Sequence, residues 1–73
     1  MLKGDITMIT ARVLMRKTVD GTKYRLEEIS DTLGDQKYFD VVKNLWSNTS
    51  WMTLKTFGLN NYKDAVKFFK SIK

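Results

Sequence analysis

The dipeptide Asp20-Gly21 constrains this chain more than any other local feature. A two-residue hairpin turn of type I′ needs positive φ at both central positions, which Asp tolerates and Gly adopts without strain. The segment before it, residues 6–17, alternates loosely. Ile9, Ala11, Val13 and Met15 fall on one face, and Thr10, Arg12, Leu14 and Arg16 on the other. The segment after it, Lys23 to Ser30, supplies the returning strand. Two registers compete. A two-residue loop sets Arg16 opposite Arg25, and like charges directly opposed are unfavourable. A three-residue loop with a bulge sets Arg12 opposite Glu28 and Leu14 opposite Leu26, and this second register is preferred.

Beyond the hairpin the period changes. Asp31-Thr32-Leu33-Gly34-Asp35 reads as a loop. Tyr38, Phe39, Val41, Val42, Leu45 and Trp46 then recur at helical spacing over an arc of roughly 160°, which predicts a helix over residues 36–47. Asn48-Thr49-Ser50 ends it. Residues 51–57 have strand composition, with Met52, Leu54 and Thr56 on one side and Trp51, Thr53, Lys55 and Phe57 on the other. Gly58 breaks this strand. Asn61 with Asp64 three residues on has the spacing of a capping box. From Tyr62 to Lys73 the helical stripe Tyr62, Ala65, Val66, Phe69 and Ile72 is flanked by Phe68. The expected fold is therefore α+β: one small two-layer domain over residues 1–73, ordered β-β-α-β-α. Its three-stranded, mainly antiparallel sheet carries two helices on one face and leaves the other face open.

Composition removes several function classes. There is no Cys and no His in 73 residues, so neither a disulfide nor a zinc site of the finger or ribbon type can form. Thiol nucleophiles and imidazole bases are excluded as well. Glu27 and Glu28 are neighbours in a strand, pointing to opposite faces, and cannot act as a catalytic pair. The expectation is a protein that is not an enzyme and uses no cofactor or metal. No apolar run approaches the roughly 20 residues a membrane helix needs, and Met1-Leu2-Lys3-Gly4-Asp5 opens no signal-like segment, so the expected location is the cytoplasm. A core this small could be completed by a homodimer interface.

Charge points to partners. Residues 1–36 are balanced, and the entire formal excess of +5 falls in residues 37–73 together with eight of the nine aromatics. Cations interleaved with rings suit single-stranded RNA or DNA, where phosphates attract the cations and bases stack on the rings. The candidate contacts are Lys55, Lys63, Lys67 and Lys70 for phosphates, Trp51 and Phe57 for stacking, and Arg12 and Arg16 beside them on the open sheet face. If Trp51 and Phe57 instead face the helices, they form the core. The alternative function is a protein-interaction module, a small regulator or inhibitor that meets its partner at a sheet edge or an exposed aromatic patch.

Overall fold

The computed structural model describes residues 9–31, 36–45 and 50–73. Among the described residues, four strands, β1 (Ile9–Val19), β2 (Thr22–Asp31), β3 (Gln36–Asn44) and β4 (Trp51–Gly58), are followed by a 3-10 turn (Leu59–Asn61) and one helix, α1 (Tyr62–Ser71). The strands lie in the order β1-β2-β3-β4, each antiparallel to the next. The chain is thus α+β but mostly sheet. This corrects the expected three-stranded sheet with two helices.

The error lies in residues 36–47. Spacing at i, i+1, i+3 and i+4 is also what a strand shows when both of its faces are buried. In β3, Phe39 and Val41 face the helix-covered side, and Val42 is buried on the opposite side. The two polar residues that spoiled the alternation have partners. The Thr56 hydroxyl donates to an Asp40 carboxylate oxygen at 2.6 Å, and the Asn44 amide donates to the Ser50 carbonyl at 3.0 Å. Trp46 and the expected helix end at Asn48-Thr49 lie outside the described residues, as do Thr32–Asp35 and the first strand residues Ile6–Met8.

The hairpin forms at Asp20-Gly21, with φ of 50° and 81°. A Cβ on Gly21 would meet nothing within 4 Å, so the requirement there is conformational and not one of space. Val19 pairs with Thr22, so the loop has two residues and Arg16 does lie opposite Arg25. Arg12 nevertheless pairs with Glu28, because a bulge between Val13 and Met15 inserts Leu14 into β1. The preferred three-residue loop is wrong, and the Arg12–Glu28 pairing is right for a different reason.

An inserted residue sends everything beyond it to the other face. Met15 and Lys17 therefore share the helix side with Arg12, while Arg16 joins Val13 on the open side. The edge strand β4 has the same device. Its register shifts between the partners of Val41 and Val42, leaving Leu54 as the extra residue. Both outer strands of the sheet are bulged, and the one inner pairing, β2 with β3, is regular.

Helix α1 packs on the face that carries Leu26, Phe39, Val41 and Phe57, burying Ala65 and Phe69 against them. Val66, Phe68 and Ile72 fill the margins, as the apolar stripe predicts. Phe57 meets Phe68 at 5.7 Å between ring centroids, and Phe39 meets Tyr62 at 5.1 Å; both pairs are tilted, the favoured arrangement for rings. The expected capping box is not formed, since Asn61 makes no side-chain cap hydrogen bond. The C-terminal end is held instead. Lys17 Nζ donates to the Phe69 carbonyl at 2.9 Å and lies 5.2 Å from the Phe69 ring centroid, placing a cation on the negative end of the helix dipole. Ten residues of helix span about 15 Å, so α1 cannot cover a sheet whose molecule measures 47 × 30 × 15 Å. Among the described residues, no helix lies on the opposite face.

Lys17→Met keeps the aliphatic stem and removes the charge. It is expected to destabilise the fold by about 1 kcal/mol, read as a urea midpoint lowered by roughly 0.5–1 M. An unchanged midpoint would show that this contact does not anchor the helix.

Candidate nucleic-acid interface

Register decides which side chains meet on the open face. Across β1 and β2 it brings Arg16 opposite Arg25, and Thr18 opposite Lys23. Lys23 and Arg25 are two apart in one strand and so project the same way. Across β3 and β4 it sets Trp51 opposite Asn44, one step beyond the Val42–Thr53 pair on the same face. Val42 is in turn opposite Arg25. Trp51 thus reaches Arg25, whose guanidinium carbon sits 3.7 Å from the indole centroid. Such a contact contributes about 0.5–2 kcal/mol according to how far it is desolvated. It spans three strands and fixes the guanidinium.

Arg16, Lys23, Arg25 and Trp51, with Thr18 between them, line a cavity of about 370 Å³. Lys17 and Tyr24 border it too, but the Lys17 ammonium is turned to the helix on the other side of the sheet. Among the described residues, no Asp or Glu lines the cavity. Glu27 pairs with one of these cations, its Oε2 lying 3.6 Å from Arg25 Nε, an ion-pair distance. That Nε is buried and has no hydrogen-bond acceptor. Three cations therefore converge on one concave, ring-bearing surface, with one carboxylate beside them.

The expected site residues do not form one surface. Trp51 and Arg16 are together on the open face. Phe57 is buried in the core and is not available to stack on a base. Lys55 lies with it on the helix side, its Nζ 5.3 Å from the Phe57 ring and 5.7 Å from the Phe68 ring. The Leu54 bulge is the physical reason that Trp51 parts from Lys55 and Phe57, which simple alternation places on one face. The Leu14 bulge likewise parts Arg12 from Arg16, and Arg12 forms an ion pair with Glu28 at 3.5 Å on the helix side. Lys63, Lys67 and Lys70 are exposed on α1, across the sheet from Trp51.

Lys23 and Arg25 are absent from the expected set, although their signal is present in the sequence. The Arg16–Arg25 opposition follows from a two-residue Asp-Gly loop, but it counts against that register when stability alone is considered. Among the described residues no cluster of three acidic side chains could hold a metal ion, and no helix is long and apolar enough to cross a membrane.

A cross-strand pair of like charges costs a few tenths of a kcal/mol to about 1 kcal/mol. Arg16→Thr removes that repulsion with a good strand former and is expected to raise the melting temperature by a few degrees. A lower melting temperature in low salt would show that the two arginines do not repel in the folded protein. No protein-family model, curated protein or solved structure matches this chain.

Proposed function

We propose that this chain is a small non-enzymatic protein that binds single-stranded nucleic acid on the open face of its sheet. One observation carries the reading: three cations and an indole line a single cavity, with no carboxylate among its described lining residues. Repulsion among Arg16, Lys23 and Arg25 weakens the free protein, and an anion placed between them relieves it. A local conflict of this kind, kept in an otherwise consistent fold, marks a functional surface. Phosphate supplies the anion. The indole supplies a stacking surface, and guanidinium planes such as that of Arg25 also accept bases. A single strand fits because its bases can be splayed out to reach a ring, whereas paired bases cannot.

The cations that serve Trp51 come from the first two strands, so the site differs from the lysine-rich second half that the charge distribution suggests. Lys63, Lys67 and Lys70 on α1 would act at most as a second, long-range attraction for the strand.

A protein-interaction module is the second reading. It draws on Met52 and Leu54, which are 41% and 37% exposed on the outer strand β4. Strand addition needs a regular edge, however, and bulges are a device that prevents it. Both edges of this sheet are bulged, which favours recognition by the face.

Titration of labelled single- and double-stranded oligonucleotides at about 50 and 200 mM salt tests the proposal. Single strands are expected to bind more tightly, with a log–log salt slope near −2 when each of the three cations neutralises one phosphate charge. Trp51→Ala should weaken binding by roughly 5- to 150-fold, the loss of one stacked base. Failure of any oligonucleotide to bind at low salt would refute the reading and leave a protein partner as the alternative.

A further inference from the structure

We propose that the cavity beside the hairpin receives the phosphorylated end of a strand: one terminal nucleotide bearing a phosphomonoester. This deepens the nucleic-acid reading and rests on it. The first support is charge. Arg16, Lys23 and Arg25 contribute three positive charges, and Glu27 offsets one of them at 3.6 Å, leaving about two to be met by a ligand. A phosphodiester within a strand carries one negative charge. A phosphomonoester carries about 1.5 to 2 near pH 7 and presents three acceptor oxygens, which two guanidinium forks and an ammonium can share.

The second support is size and place. At about 370 Å³ the cavity lies near the lower end of small-molecule sites, roughly 300–1,000 Å³, with room for one nucleotide and not for a run of them. It sits at the hairpin end of the sheet, with Arg16 and Lys23 each within four residues of the Asp20-Gly21 turn. A strand can end there without having to pass through. The third is chemistry. Trp51 lines the same cavity, which gives a base a surface to rest on and distinguishes a nucleotide from a phosphorylated peptide or inorganic phosphate.

The test uses the full chain and one decanucleotide sequence prepared with a 5′-phosphate, a 3′-phosphate or hydroxyl groups at both ends, each labelled internally. One of the two phosphorylated strands is expected to bind at least tenfold more tightly than the hydroxyl-ended strand. Adenosine monophosphate is expected to displace it, with adenosine and inorganic phosphate much weaker. Arg16→Thr and Lys23→Thr should each reduce the preference for the phosphorylated end toward unity, and circular dichroism melts confirm that both variants fold. Equal binding of all three strands would overturn this inference while leaving the nucleic-acid reading intact. Binding of none would overturn both. Displacement by a phosphoserine peptide as effective as that by adenosine monophosphate would also overturn it, because the indole would then contribute nothing.

Discussion

Strand register in the first hairpin is the constraint on which the rest of the molecule depends. The Asp20-Gly21 turn admits only two residues between the strands, with φ positive at both, and so sets Arg16 against Arg25. Continued without interruption, that register would carry every residue of β1 onward by simple alternation. Leu14 interrupts it. The bulge turns Arg12 toward Glu28 and keeps Met15 over Leu26, where the helix needs an apolar neighbour. Like charges remain opposed at one end of the hairpin and opposite charges meet at the other. The molecule gains a core on one face and a concentration of cations on the other.

The same economy appears in β4. Leu54 separates Trp51 and Thr53 from Lys55 and Phe57, so one short strand gives a ring to the core and a different ring to the open face. Bulges at both outer strands also twist and interrupt the edges, which would otherwise present rows of unpaired backbone groups to another chain. The bulges therefore work against strand addition at the sides of the sheet. Ile29 and Val42 are nearly inaccessible on the open face, opposite the long side chains of Tyr38 and Arg25.

Much of the site was visible in the residues but misassigned. The terminal helix followed from the 3.6-residue spacing of Tyr62, Ala65, Val66, Phe69 and Ile72, because a helix covered on one side shows its pattern directly. Strand β3 did not, because burial on both faces erases the period of two by which a strand is known. Trp51 and Arg16 stand out in the sequence as candidate contacts. Arg25 and Lys23 do not, since the opposition of Arg16 and Arg25 counts as a defect where stability alone is weighed. Simple alternation groups Phe57 and Lys55 with Trp51, and the Leu54 bulge breaks that alternation. A bulge has no dependable sequence signature, and its position depends on which side chains the facing strand and helix can accommodate.

By itself, then, the sequence determined where the first hairpin turns, though not its loop length, together with the terminal helix and the absence of thiol and imidazole chemistry. Each of these is a local matter: the φ preference of two residues, the spacing of one stripe, the count of two residue types. Only the tertiary structure decided that residues 36–44 are a strand, that Leu14 and Leu54 are the inserted residues, and that three cations of the first hairpin share a cavity with a tryptophan from the fourth strand. Those outcomes depend on pairings between segments up to several tens of residues apart. A shift of one residue in any of them would send the cations and the indole to opposite faces of the sheet.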